Sequence, residues 1–187
     1  MYPFVETIRV EKGIVCNLPY HQQRLERTMD NFFPSAPQPI LRDVLSAMQW
    51  PADTIWKVHI EYDGDGIGLI RKEAYHRRNI RSLRLVTCDD IDYSYKSADR
   101  SQLSRLLLQK GDADEIIIVK NGRLTDTSYS NIALFDGNRW VTPAHPLLKG
   151  TMRQSLIDKG LLEEKDIMAE DFPKYLEVRL INAMMSL

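Results

Sequence analysis

The sequence predicts an α/β (α+β) protein of two domains. Three observations carry this expectation. Short β-rich runs bounded by turn residues recur along the 187 residues, several with period-two alternation. Between them stand helical patterns with one apolar face, closed by proline or glycine. A polar, irregular stretch from Cys88 to Ser94 then divides the chain, which places an N-terminal α/β domain at 1–88 and a second domain at 89–187.

The elements follow in order. Val5 to Val10 reads as a strand, turned at Lys12-Gly13 and paired back by Ile14 to Asn17. Pro19 stands where helices begin, and Tyr20 to Phe33 carries Leu25, Met29 and Phe32 on one face. Ile40 to Trp50 is a second helix, and Pro51 stops it. Ile55 to Tyr62 alternates as a half-buried strand does, Asp63-Gly64-Asp65-Gly66 turns it, and Ile67 to Ala74 returns. Ser82 to Thr87 is a further strand. Ser97 to Lys110 is a helix with Gly111 as its C′ residue.

The stretch from Asp114 to Gln154 organises the rest. It reads as three strands, Glu115 to Val119, Asn131 to Phe135 and Arg139 to Thr142, with an Asn121-Gly122 hairpin signal. A helix then opens at Thr151, expected as its N-cap, and runs to Lys159. A meander that aims a helix N-terminus at its own polar loops is a way to build an anion pocket, because the first helical N–H groups lack internal partners. Tyr175 is placed in a short helical turn and Glu177 to Ile181 in the last strand.

Composition bounds the function. Hydrophobic content is 43%, charged content 27% and net charge −1, so no general attraction to nucleic acid or anionic membrane is expected. Cys16 and Cys88 form no motif, and His21, His59, His76 and His145 have no metal-ligand spacing, so no metal is expected. No apolar run reaches the roughly 18–20 residues of a bilayer span, and the N-terminus has no signal-peptide pattern, so a cytoplasmic protein is expected.

Four places offer chemistry. Lys96, in IDYSYKSADR, lies between Tyr93, Tyr95 and a helix start; a lysine withdrawn from water becomes a nucleophile, though a solvated helix-entry residue fits equally well. Arg24, three residues before Arg27, reads either as a solvent-facing charge or as a bidentate phosphate clamp. Asp126, in LTDTSYSN, reads either as an Asx-type turn residue or as a carboxylate held against a pyridine nitrogen. Gly150-Thr151-Met152-Arg153 reads as a helix cap with or without a phosphate on it.

At these residues the chain resembles the class IV (fold type IV) pyridoxal-phosphate enzymes: branched-chain and D-amino-acid aminotransferases and aminodeoxychorismate lyase. VETIRVEKG with YHQQRL, YKSADR, ADEIIIVKNGRLTDTSYSNIALFDGNRWVTP, GTMRQ and LINAM match the family's signatures in order, and GTMRQ and LINAM are closer to the lyase branch. The resemblance implies a two-domain D-amino-acid aminotransferase-like fold, the second domain a barrel-like sheet with helices and the cofactor between the domains. It implies pyridoxal 5′-phosphate bound as an imine on Lys96, which then serves as acid and base toward a small-molecule amino substrate. Arg24, Gly150 and Thr151 would hold the phosphate, with backbone near Met152, Asn182 and Ala183 assisting. Asp126 would pair with the pyridine nitrogen, with Asn131 in the same signature. A homodimer is implied. Three departures accompany the match. Asp126 stands where the family usually has glutamate. About thirty residues of family members precede this start, set against ordinary domain sizes. WKVHIEY lacks the arginine pair often found there. A shortened member that binds cofactor or a partner without turnover, and an unrelated hydrolase or binding module, are the alternatives.

Overall fold

Alternation along β1 (Phe4–Glu11) puts Phe4, Ile8 and Val10 on one buried face. The face packs on α1 (Leu18–Phe32) through Leu25 and Met29, and on α2 (Leu41–Ser46) through Leu41 and Leu45. The computed structural model describes residues 3–187. β1 lies centrally in an antiparallel sheet of order β2-β1-β3-β4, with β2 at Ile14–Val15, β3 at Trp56–Asp63 and β4 at Gly66–Ala74. Val58, Ile60 and Tyr62 of β3 complete the core from the same side. α2 is shorter than the sequence pattern predicts, because Trp50 and Pro51 follow it as an irregular stretch.

The chain forms two compact units. The first runs to Arg77 and takes back Tyr95–Asp99; the second holds Arg78–Ser94 and Arg100–Leu187. A single boundary after Cys88 is therefore not where the chain divides. β5 (Leu83–Thr87) pairs in parallel with β6 (Glu115–Lys120), which binds it to the second unit.

The second unit has two sheets. One has order β5-β6-β7, with β7 at Arg123–Thr127. The other has order β10-β9-β8-β11, from β8 (Asn131–Phe135), β9 (Trp140–Pro143), β10 (Glu163–Lys165) and β11 (Glu177–Ile181). Asn121 and Gly122 both take positive φ, 50° and 77°, as a tight two-residue hairpin between β6 and β7 requires. The arm returning from the hairpin is β7, which reaches through Asp126 to Thr127, so the stretch holds one strand more than the three expected, and β10 is a further strand outside the expectation. α3 (Ser101–Leu107) packs Leu103 and Leu106 on Val86, Ile116 and Ile118, and α4 (Thr151–Asp158) packs Met152 and Leu156 on Ala133 and Ile181. α3 begins four residues later than predicted and ends in a 3-10 turn at Leu108–Lys110.

Leu25 is fully buried where α1 meets the sheet. Leu25→Ala is expected to cost about 2–5 kcal/mol, read as a lower urea midpoint with an unchanged denaturant slope.

Candidate active site

In the first unit the decisive feature is a charge on an inward strand position. Glu6 shares the buried face of β1 with Phe4, Ile8 and Val10 and is fully enclosed. A bare carboxylate there would be costly, and α1 supplies its partners. Arg24 grips it with both edges of a fork: Nε donates to Oε1 at 2.8 Å and Nη2 to Oε2 at 2.6 Å. His21, one helical turn earlier, places Nδ1 2.6 Å from Oε2. Burial pushes the Glu6 carboxyl up, but the charge and hydrogen bonds of Arg24, with those of His21, bring it down to about 2. Burial pushes the His21 imidazole down against the pull of Glu6. The ring is thus neutral at pH 7, with its proton on Nδ1 facing the ionised acceptor.

Arg24 is buried, so the solvent-facing reading is excluded for it; Arg27 is the exposed arginine, with its guanidinium 5.1 Å from the Tyr95 ring centroid. Lys96 lies half-buried on the segment that returns to the first unit. The segment is pinned along β1: Val5 N–H donates to the Lys96 carbonyl at 3.0 Å and Ala98 N–H to that of Pro3 at 2.8 Å. Tyr95 meets Phe32 edge-on at 4.8 Å between ring centroids and also packs on Phe4. Tyr93 packs with the Val86 and Ile91 core of the second unit.

In the second unit Asp126 is a residue of β7, not of the turn that follows, which corrects the Asx-turn reading. Its carboxylate is buried and held from two directions. Asn131 Nδ2 donates to Oδ1 at 2.8 Å, and the Leu148 amide donates to Oδ2 at 2.9 Å. Among the described residues it has no ion-pair partner at contact distance. Burial pushes its pKa from 3.8 to about 6, opposed by the Leu148 amide, Asn131 and the more distant charge of Arg153. Arg153 is itself enclosed, with Nη2 donating to the Pro143 carbonyl and to Glu164. The same Asn131 nitrogen also donates to the Leu148 carbonyl at 2.8 Å, so its amide protons hold Asp126 and its loop together.

Gly150, not Thr151, is the N-cap of α4, and it makes no side-chain cap bond. Its φ of −72° suits any residue, so backbone freedom is not the reason for glycine. A Cβ there would lie 2.0 Å from Asn131 Oδ1. The first turn of α4 therefore starts directly beside the Asn131 amide and the Asp126 network. Thr151 and Met152 follow, both buried. Asn182 and Ala183 are half-buried in a turn closed on itself: Asn182 Oδ1 accepts from the Met184 amide at 2.9 Å, and Asn182 and Met185 exchange backbone bonds at 3.0 Å. Arg24 and Lys96 thus stand together on the first unit, and Asp126, Asn131, Gly150 and Thr151 on the second. Glu6, His21 and Leu148 were not singled out by sequence. A glutamate in the apolar row of a strand was the available signal for the first two. Among the described residues no group of three His, Cys, Asp or Glu side chains is placed to hold a metal ion, and no helix is long and apolar enough to cross a membrane.

The family model for amino-transferase class IV matches residues 4–187. The chain belongs to the class IV aminotransferases. It is 37% identical to an uncharacterized protein of Haemophilus influenzae, each covered over 98% of its length. A crystal structure from Haemophilus somnus 129PT, described as a "putative 4-amino-4-deoxychorismate lyase", is 35% identical with a TM-score of 0.95, covering all of this chain and 98% of that one. A hypothetical aminotransferase of Mycobacterium tuberculosis in its PLP-bound form shares the fold at 20% identity and a TM-score of 0.81, with 78% of that chain covered. As a class IV aminotransferase the chain has the mixed α/β fold its sequence predicts.

Two predictions follow from the Asp126 network. The raised pKa opposes folding once the group ionises. Its contribution is favourable below the unfolded value near 3.8 and is lost as pH rises through about 6, a change of about 3 kcal/mol. In the cofactor-free protein, Asp126→Asn flattens the stability–pH curve between pH 4 and 7, read by urea unfolding at each pH. Gly150→Ala forces the Asn131 amide aside and costs about 1–3 kcal/mol; in an Asn131→Ala background the same change is nearly neutral, a non-additivity read by thermal unfolding.

Proposed function

We propose that this class IV aminotransferase is a pyridoxal-phosphate enzyme acting as an aminodeoxychorismate lyase, with amino-acid transamination as the second reading. The observation that carries it is the buried Asp126. A carboxylate sealed within β7, given two neutral donors but no cation in contact, is suited to a protonated pyridine nitrogen. Each unit supplies groups of the right chemistry: an amine at Lys96 and a guanidinium at Arg24 on the first, a carboxylate at Asp126 and an α4 N-terminus opened by glycine on the second. The PLP-bound state of the M. tuberculosis relative and the lyase description of the H. somnus relative support the same reading.

When bound, the cofactor supplies an electron sink for a carbanion at the substrate carbon. Lys96 is the attachment point and the base that moves the proton at that carbon. Asp126, ionised above about pH 6, holds the pyridine proton in place. Arg24 and the amides at Gly150 to Met152 hold the phosphate, with Thr151 beside them and the Asn182–Ala183 turn assisting. Asn131 acts on the ring through Asp126, by fixing the carboxylate it hydrogen-bonds. The lyase comes first because its relative is matched at 35% identity over nearly its full length.

Purified protein mixed with pyridoxal 5′-phosphate is expected to turn yellow, and borohydride to fix the label on Lys96. Lys96→Ala abolishes both. Pyruvate released from aminodeoxychorismate identifies the lyase, and amino transfer to 2-oxoglutarate the transaminase. A protein that stays colourless with cofactor overturns the proposal.

A further inference from the structure

We infer that Glu6, together with His21, is a positioning device for Arg24: it sets the plane and direction in which the guanidinium faces an anion. The inference rests on the proposed cofactor-binding reading for the identity of that anion, the phosphate of pyridoxal 5′-phosphate.

The geometry is specific. A guanidinium is planar, so two bonds along its Nε/Nη2 edge fix its plane and its rotation about the side-chain axis. Glu6 makes both, at 2.8 Å and 2.6 Å. The backbone that carries the carboxylate is itself fixed, because Glu6 pairs with Ile60 of β3, between Val5, whose N–H bonds the Lys96 carbonyl, and Thr7, which pairs with His59. His21 adds a third bond to the same carboxylate, on the oxygen that Nη2 also uses. Its neutral Nδ1–H tautomer adds no charge to a pair that is already balanced.

The balance has a functional consequence. Glu6 and Arg24 together carry no net charge, so the arginine does not attract anions at long range. Its use to a phosphate lies in direction rather than in field. This accounts for a strong acid placed where an apolar residue would fill the same position of the strand. Elsewhere in that row the side chains are Phe4, Ile8 and Val10.

Glu6→Gln tests this, because it keeps the side-chain volume but faces Arg24 with an amide donor. The first measurement needs no cofactor. The Arg24 Nε–H proton, held by Glu6 Oε1, is expected to exchange slowly in the wild-type ¹⁵N spectrum and at least tenfold faster in a folded Glu6→Gln protein. An unchanged exchange rate overturns the inference. The second measurement compares affinities for pyridoxal 5′-phosphate and for pyridoxal. Glu6→Gln is expected to lose about tenfold on the phosphorylated ligand and little on the other, and to lose nothing further in an Arg24→Gln background. Equal losses on both ligands, or losses that multiply with Arg24→Gln, overturn it, since a merely structural role predicts those. If Glu6→Gln does not fold, Glu6→Asp carries both measurements: it keeps the charge, shortens the reach, and is expected to lose affinity for the phosphorylated ligand only. A wild-type protein that does not prefer the phosphorylated ligand overturns the cofactor reading, and the exchange measurement still decides the role of Glu6.

Discussion

A carboxylate taken out of water must be met by donors, and in the second unit that requirement ties four pieces of chain together. Asp126 comes from β7. Its donors are a side chain at the start of β8 and an amide in the loop before α4. Asn131 reaches both places with one nitrogen. Its oxygen lies so close to α4 that only a residue without a side chain can begin that helix. The glycine cap, the buried helix start and the enclosed acid are therefore one arrangement. Any change to one of them is felt by the others.

The first unit meets the same demand by another route. Glu6 has a full counter-charge in contact, so its acid is strengthened rather than weakened. The pair also joins sheet to helix across the core formed by Ile8, Leu25 and Met29. A buried ion pair is a weak source of stability, since desolvation of both partners offsets most of the attraction. Leaving one partner alone is far more costly. The pair is thus best understood as a device that fixes orientation, with the apolar contacts around it supplying the stability.

The sequence made some of this legible and concealed the rest for physical reasons. β11 was readable at both ends because Pro173 and a short β-prone run bracket it. The hairpin at Asn121-Gly122 was readable because few residue pairs tolerate that backbone. β7 was concealed because Thr-Asp-Thr resembles a turn; its burial comes from partners in β6 and in the loop at Leu148, which no local pattern reports. α2 and α3 fell short of their periodic patterns: α2 ends at Ser46 although Met48 and Trp50 still pack on the core, and the chain before α3 pairs with β1 instead of continuing the helix. The candidate site divided in the same way. Lys96, Arg24 and Asp126 came from ordered motifs. The burial of Arg24 depended on a glutamate 18 residues away, and only alternation in β1 hinted at it. Gly150 looked like a helix signal, and its reason for being glycine is a contact with Asn131 that exists only in three dimensions.

The contrast between the two buried acids separates their roles. They share a functional group and near-complete enclosure, yet one is driven down to about 2 and the other up to about 6. Desolvation acts in the same direction on both, so the difference lies in what each touches. Glu6 already has its cation and is ionised at any pH the protein meets. Asp126 has neutral donors only, so its ionised form is held at a free-energy cost that a cation can remove. In the proposed reading a bound pyridinium would be such a cation, and binding it would relieve a penalty that the folded chain otherwise carries above about pH 6. The shorter side chain at this position strengthens the argument. An aspartate reaches less far from β7 than a glutamate, and Asn131 and the Leu148 amide hold it at that reach. In the proposed reading a ring nitrogen would have to come to the carboxylate, because the carboxylate is not free to move toward it.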